Sequence, residues 1–227
     1  MKILIVSATA FEIAPLHLKL KEHFSEEQPF QYKKNNLEIS ILITGVGMTA
    51  TAFALGRILS GEITFDLVIN LGIAGAFDQN LQLGEVVQVV SEQFGDLGVE
   101  EADGSFTDMF EMNLLQNDGA IFYENAIQNP NEDISFLKKV KAITVNKVHG
   151  YSESISKIEK KYQADIESME GAAVFYACKL SEVKFLEIRA ISNYVESRNR
   201  ANWNIPLAID SLNDVAWALL NAIKSED

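Results

Sequence analysis

Short apolar runs that end in small or polar residues recur along this chain, with helically spaced apolar residues between them. Residues 3–6 form an uninterrupted apolar run that ends in Ser7, which is typical of a strand buried on both faces. Residues 67–71 are predicted to form another buried strand. A predicted helix lies between these runs, with apolar residues at three helically spaced positions, Ile13, Leu16 and Leu20. This alternation predicts an α/β fold.

The remaining segments extend the same pattern. Residues 30–33 and 37–43, joined across Asn35-Asn36, predict a β-hairpin. Residues 142–145 and 183–188 predict further strands, whereas residues 105–135 are expected to be a surface excursion. Two more helices are predicted from inward-facing positions, one from Met48, Ala52, Leu55 and Leu59, and a last one from Ile209, Leu212, Ala216, Leu219 and Ile223. One α/β domain over residues 1–227 is the simplest account.

Composition and charge exclude several classes of function. The 227 residues carry a formal net charge of −13, which argues against binding to nucleic acid or to an anionic membrane surface. Cys178, the single cysteine, lies among apolar residues and is expected to pack in the core. Residues 1–6 are too short for a signal peptide or a membrane span, and no later apolar run is long enough. We therefore expect a cytoplasmic protein.

Residues 165–173 place two carboxylates, Glu167 and Glu170, where a polar segment becomes an apolar helix. An isolated buried carboxylate is costly unless another group pairs with it. Residues 189–193 then end a short β run with polar side chains. Two interpretations stand at this point. The segments are either an ordinary helix start and strand end, or two parts of one site.

Glycines follow two of the predicted strands, at Gly45-Val-Gly47 and at Gly72-Ile-Ala-Gly75. The first loop matches the dinucleotide fingerprint loosely, but its place in the chain and the lone nearby acid, Asp66, disfavour a nicotinamide cofactor. Such loops are either tight turns or a place where a ligand approaches the backbone at the carboxyl ends of strands. The three histidines lack ligand spacing, so we expect no metal and no cofactor.

Taken together, the motifs resemble the nucleoside phosphorylase and nucleosidase superfamily over nearly the whole chain. Within it the chain is similar to methylthioadenosine/adenosylhomocysteine nucleosidases and, more closely, to futalosine hydrolases. The matching pieces are Glu12, Thr44-Gly-Val-Gly47, Asn70-Leu-Gly-Ile-Ala-Gly75, Leu83-Gly-Glu-Val-Val87, Glu167-Ser-Met-Glu-Gly-Ala172 and Arg189-Ala-Ile-Ser192, with Phe94-Gly-Asp-Leu-Gly98, residues 193–200 and Trp203 for the futalosine group. The resemblance implies a nucleoside phosphorylase-like fold, a single domain with a central mixed, twisted sheet flanked by helices.

The resemblance also implies roles for individual residues in cleavage of an N-ribosidic bond. Glu12 would activate the attacking water as a general base, and Glu170 would accept hydrogen bonds from the ribose hydroxyls. Met169 would pack on the ribose, and Arg189 would lie near the water or form a structural salt bridge. The segment from Ser7 to Glu12 lacks the phosphate-binding arginine of phosphorylases, so water is the expected nucleophile.

Asn193 departs from the pattern of adenine nucleosidases, which place an aspartate there to protonate the base. An asparagine amide donates hydrogen bonds but cannot deliver a proton. It therefore favours hypoxanthine over adenine as the leaving base, as in futalosine hydrolases, which act in menaquinone biosynthesis. Ile73, where adenine-specific relatives often carry serine, indicates the same preference. Methylthioadenosine/adenosylhomocysteine cleavage with adenine release is the alternative.

Other implied contacts surround a small-molecule purine nucleoside. Those at the nucleoside itself are Gly47, Ile73, Ala74, Gly75 and Val148, the last within residues 146–150. The carboxylated end of futalosine needs a cation, for which Arg198 and Arg200 beside Trp203 are the candidates, and solvated loop arginines are the alternative. Relatives complete this pocket from a neighbouring subunit, so we expect a homo-oligomer, a dimer or larger.

Overall fold

The first strand shows how the sequence determines the layers of the fold. In the computed structural model, which describes residues 1–129 and 134–224, residues 3–6 are fully buried. Ile3 and Ile5 contribute to one hydrophobic cluster, and Leu4 and Val6 contribute to another. Successive side chains of a strand point to opposite faces, so an apolar run without alternation requires cover on both.

The described residues form these elements in chain order: β1 (Lys2–Ser7), α1 (Ala14–His23), β2 (Ser25–Gln28), β3 (Gln31–Lys34), β4 (Leu37–Ile43), α2 (Met48–Leu59), β5 (Leu67–Ala76), β6 (Val86–Phe94), β7 (Gly98–Glu100), β8 (Phe106–Asp108), β9 (Phe122–Tyr123), β10 (Ala126–Gln128), β11 (Lys138–Thr144), α3 (Ser152–Tyr162), β12 (Ile166–Ser168), α4 (Gly171–Leu180), β13 (Phe185–Tyr194) and α5 (Ile205–Lys224). A short 3₁₀ helix covers Arg200–Asn202.

The central sheet is mixed, as predicted. Its strand order is β2-β3-β4-β1-β5-β12-β11-β6-β10-β9, and β13 joins β5 to β6. Strand β5 runs parallel to β1 and β13 but antiparallel to β12. The pairings of β5, β12, β11, β6 and β13 therefore close into a ring. The ends of three of these strands, β5, β12 and β13, lie together at one side of it.

Helices cover both faces of this single α/β domain. Helices α1 and α5 pack on the cluster that contains Ile3 and Ile5, and α2 and α4 pack on the cluster that contains Leu4 and Val6. A third cluster holds α3 against β11 through Ile155, Ile158 and Ile143. Cys178 is fully buried in α4, which confirms its predicted packing role.

Several sequence predictions need correction. The predicted turn at residues 72–75 is part of β5, because β13 pairs with this strand as far as Ala76. Ala52 is exposed on α2, and Thr51 is buried instead, where its hydroxyl hydrogen-bonds Thr44 Oγ1 at 3.1 Å. The excursion at residues 105–135 contributes β8, β9 and β10, and its residues 130–133 lie outside the described part of the chain.

Candidate active site

Glu12 lies in the loop between β1 and α1, where three hydrogen bonds fix its carboxylate. Its Oε2 accepts from the Thr9 backbone N at 3.1 Å and from Thr9 Oγ1 at 2.8 Å. Its Oε1 accepts from the Ile73 backbone N at 3.2 Å. The side chain is 8% exposed. The predicted general base is therefore held in one orientation above the second half of β5.

Glu170 is the residue immediately before α4, and its buried carboxylate contacts the first predicted glycine loop. Its Oε1 accepts from the Gly47 backbone N at 2.9 Å. Gly47 has φ +93°, a conformation that residues with a side chain rarely adopt. Burial raises the pKa of Glu170. The Arg189 charge and the Gly47 hydrogen bond oppose this increase, and the nearby charge of Glu12 adds to it.

Arg189 connects these two acids. It is 1% exposed, and its Nε donates to Glu187 Oε1 at 2.7 Å. A Cβ at Gly72 would overlap the Arg189 guanidinium and would lie 3.2 Å from Glu12 Oε1. Gly72 is therefore required for the close approach of Arg189 and Glu12 to β5. The structural salt bridge that was one of two interpretations of Arg189 is present, and the same guanidinium also lies beside Glu12.

Two further buried carboxylates near Arg189, Glu187 and Glu92, were not predicted. Glu92 Oε2 accepts from Thr144 Oγ1 at 2.8 Å. A Cβ at Gly171 would overlap Glu92 Oε1 and would lie 2.6 Å from Glu187 Oε1. The two acids face each other across this glycine. Burial, and then repulsion from Glu187, raise the pKa of Glu92. Burial also raises the pKa of Glu187, although Arg189 opposes the increase.

Burial by itself would lower the pKa of Arg189, but the surrounding carboxylates raise it overall. These carboxylates are Glu187, Glu170, Glu12 and Glu92, in decreasing order of effect. Arg189 Nη2 has no hydrogen-bond partner among the residues that the structure describes. The guanidinium thus carries a stable positive charge and retains a free donor.

Asn193 lies near the end of β13, where a register shift against β5 separates it from Ile191. Its Oδ1 accepts from Ser192 Oγ at 2.8 Å, and its Nδ2 donates to the Tyr194 carbonyl at 3.0 Å. The Cβ position of Gly75 lies 3.1 Å from Asn193 Nδ2. Ile73, whose backbone N donates to Glu12, lies two residues before Gly75 on β5. The separation along the strand is roughly 7 Å. Glu12 and Asn193 therefore flank one short stretch of backbone.

His149 and Glu167 also lie at this end, and the contact between them was not predicted from the sequence. Glu167 lies on β12 opposite Gly75, and its Cγ is 3.7 Å from the Gly75 Cβ position. Its carboxylate accepts from the His149 backbone N at 3.0 Å and lies 2.7 Å from His149 Nδ1. The side chains are 10% and 4% exposed, respectively. A lone histidine 18 residues from its partner gives no recognisable spacing.

The other predicted binding residues are placed less uniformly. Ile73 and Met169 are half-buried, Val148 is 38% exposed, and Ala74 turns its methyl into the core. The Arg198 backbone N donates to the Gly150 carbonyl at 3.1 Å, and its guanidinium stacks on Trp203 at 5.3 Å. Arg198 thus contacts the 146–150 segment that carries Val148.

A cavity of about 890 Å³ opens beside this segment, between the β7–β8 hairpin and α3. Its lining includes Asp96, Lys147, His149, Tyr151 and Lys157. His149 therefore lies between this cavity and Glu167. No group of three or more His, Cys, Asp and Glu in the described ranges has an arrangement that would hold a metal ion.

In the described part of the chain, no helix combines the length and apolar character needed to cross a membrane.

Comparison with known proteins identifies the family of the chain. The family model of the phosphorylase superfamily matches residues 2–224. The chain is 30% identical over 208 residues to a 5'-methylthioadenosine/S-adenosylhomocysteine nucleosidase from Haemophilus ducreyi, covering 85% of this chain and 84% of the relative. It is 29% identical over 236 residues to a futalosine hydrolase from Acidothermus cellulolyticus, covering 100% and 93%.

Among solved structures, a 5'-methylthioadenosine/S-adenosylhomocysteine nucleosidase from Helicobacter pylori has the same fold. The TM-score is 0.78 at 15% identity, and the match covers 98% of each chain. The chain belongs to the phosphorylase superfamily. Within this superfamily it is an N-glycosidic bond hydrolase of the nucleosidase type.

Proposed function

We propose that the chain hydrolyses the N-ribosidic bond of futalosine, giving hypoxanthine and dehypoxanthine futalosine. The observation that carries this choice is Asn193, an amide beside Gly75 at the end of β13, together with Glu12 and Glu170 around Arg189. Two acids at one end and a hydrogen-bond donor at the other suit a bond that leaves positive charge on the sugar and negative charge on the base.

At the sugar end, Glu12 takes a proton from the attacking water while the water oxygen bonds to C1' of the ribose. The three hydrogen bonds to its carboxylate keep the basic oxygens in place before substrate binds. The Arg189 guanidinium lies beside Glu12 and balances part of the negative charge at this end. Glu170 accepts from the ribose hydroxyls, and its negative charge stabilises the oxocarbenium-like sugar.

At the base end, Asn193 donates from its amide to the 6-oxo group of hypoxanthine. A 6-oxopurine delocalises the leaving negative charge better than adenine does, so a donor is sufficient at this atom. An aimed hydrogen-bond donor of this kind typically contributes roughly 3 kcal/mol to a barrier. Water is the nucleophile because residues 7–12 contain no arginine for phosphate.

The proposal extends to the rest of the substrate and to assembly. Arg198 and Arg200, which both stack on Trp203, are the cations for the carboxylated end of futalosine. A neighbouring subunit completes this pocket in a cytoplasmic homo-oligomer.

Methylthioadenosine or adenosylhomocysteine cleavage is the second candidate. It is favoured by the 30% identity to the Haemophilus ducreyi nucleosidase. It predicts adenine release and no preference for a substrate with an acidic aromatic end. Asn193 and Ile73 argue against it, because Asn193 cannot protonate the departing adenine and Ile73 has no polar side chain where adenine-specific relatives often carry serine.

Purified protein mixed with futalosine in phosphate-free buffer tests the proposal, with free hypoxanthine measured by chromatography. Methylthioadenosine is the parallel substrate, and Glu12→Gln controls for contaminating nucleosidases. We expect hypoxanthine release that added phosphate does not accelerate, with kcat/KM above that for methylthioadenosine. A requirement for phosphate, or preferential release of adenine, would replace the proposed reaction.

A further inference from the structure

The base end of the site contains a donor but, in Asn193, no acid. An amide cannot transfer a proton to a departing purine. The nearest titratable groups that the mechanism leaves unused are His149 and Glu167, which contact each other at 2.7 Å. The stem of Glu167 and the amide of Asn193 flank the same glycine, Gly75. A charge-assisted pair thus lies beside the position assigned to the base.

Three features distinguish this pair from an ordinary surface ion pair. Both side chains are largely removed from solvent, at 10% and 4% exposure. The carboxylate binds His149 twice, through its backbone N and through Nδ1, so the ring orientation is fixed. In the described part of the chain, the structure records no hydrogen bond to Nε2 of His149, and the residue also lines the cavity next to the site.

We propose that His149 is a catalytic acid that protonates N7 of the departing base, with Glu167 as its positioning residue. This inference rests on the proposed function for its choice of base, although N7 is common to hypoxanthine and adenine. Asn193 then donates a hydrogen bond to the 6-oxo group, and His149 donates a proton to N7. The pair replaces the aspartate that adenine nucleosidases place at the position of Asn193.

The electron and proton balance is complete without a co-reactant. The C1'–N9 bond breaks with its electron pair moving to the purine, and Nε2–H of the imidazolium gives its proton to N7. Water bonds to C1', and Glu12 takes the released proton. Glu167 remains ionised and stabilises the doubly protonated ring through Nδ1–H. Exchange with solvent then returns a proton to His149 and removes one from Glu12.

A comparison of two leaving groups tests this assignment. Futalosine has a base that leaves more easily when protonated, whereas p-nitrophenyl β-D-ribofuranoside releases a phenolate that needs no acid. His149→Gln retains a side chain that donates to Glu167 but cannot transfer a proton. We expect it to lower kcat for futalosine by about 10²-fold, with KM changed less than about threefold, and to leave p-nitrophenyl riboside cleavage within about threefold.

Glu167→Gln is expected to lower kcat for futalosine by about tenfold and to spare the activated riboside in the same way. His23→Gln, an exposed histidine on α1, is the matched control and should change neither rate. Equal losses on both substrates would show that His149 only supports the loop, and full activity on both would show that it has no role. Either result overturns the proposal.

If a variant does not fold, or if the activated riboside does not react, a binding measurement on the wild-type protein tests the proposal instead. The wild-type protein should bind hypoxanthine about tenfold more tightly than 7-deazahypoxanthine, which has no acceptor at position 7. Equal affinity by calorimetry would overturn the assignment. If the wild type releases adenine but no hypoxanthine, the proposed function fails. The His149 assignment is then decided by the same comparison made with methylthioadenosine and the riboside.

Discussion

The two ends of the candidate site are built in different ways. Around Arg189, four buried acids share one guanidinium, so acidic side chains outnumber cations at this end. Around Gly75, one amide and one histidine–glutamate pair supply donors. Heterolysis of a sugar–base bond produces a cation and an anion. Under the proposed function, acids at one end and donors at the other stabilise both products of bond breaking.

The largest predicted effect is at the general base. Glu12→Gln should lower kcat by roughly 10²- to 10⁴-fold, because the amide cannot take the proton of the attacking water. KM should change little, and circular dichroism should show an intact fold. Steady-state release of hypoxanthine is the measurement. If kcat remains within tenfold of the wild type, Glu12 is not the base, and the contrast between the two ends loses its main support.

The second effect tests the charge balance around Arg189. Arg189→Met should lower the free energy of unfolding by roughly 3–5 kcal/mol, because it leaves Glu187 buried without its partner. Urea denaturation at pH 7 measures this. The double variant Glu187→Gln with Arg189→Met is the matched control and should recover most of the loss. A loss below about 1 kcal/mol in the single variant would mean that Glu187 is already neutral in the folded protein.

The third effect concerns the donor end. Asn193→Asp should shift preference toward substrates with a 6-amino group, since a carboxylate accepts from that group and repels a 6-oxo oxygen. We expect the ratio of kcat/KM for futalosine to that for its 6-amino analogue to fall by roughly 10²-fold, about 3 kcal/mol. Asn221→Asp, exposed on α5, controls for the added charge. An unchanged ratio would show that Asn193 does not contact position 6 of the base.

Residues that follow a strand or begin a helix were predicted better than contacts between distant segments, for a physical reason. The strand at residues 3–6 and the hairpin across Asn35-Asn36 are local patterns, and both are confirmed. Asn35 adopts φ +54°, the left-handed conformation that such a turn requires. Glu12 and Glu170 each follow a recognisable strand or precede a recognisable helix. Their neighbourhood was therefore predictable from short segments and from the resemblance.

The features that were missed depend on contacts between distant segments. Glycines at residues 72–75 suggest a turn when read locally. In the structure they are strand positions that make room for Arg189 and Asn193 from β13. Glu187 and Arg189 occupy alternate positions of one strand, a local signal that both side chains share a face. Without knowing that β5, β6 and α4 cover that face, however, the burial of these two charges is not predictable.

The smallest predicted effect is on stability. It concerns Glu92, which supports the acids of the proposed mechanism and is not one of them. The pKa of Glu92 is raised, chiefly by burial and then by Glu187, so the folded state favours its protonated form. The stability that protonation provides is present below the ordinary glutamate pKa and is lost as pH rises through the raised folded value. Glu92→Gln mimics the protonated form and should escape this loss, at about 1.4 kcal/mol for each unit of pKa shift.

Thermal unfolding of the wild type and of Glu92→Gln at pH 5 and pH 8 measures this difference. The variant should gain stability relative to the wild type as the pH rises. Glu22→Gln, exposed on α1, controls for the removal of one negative charge. A relative stability that does not change with pH would mean that Arg189 fully neutralises Glu92 when it is ionised.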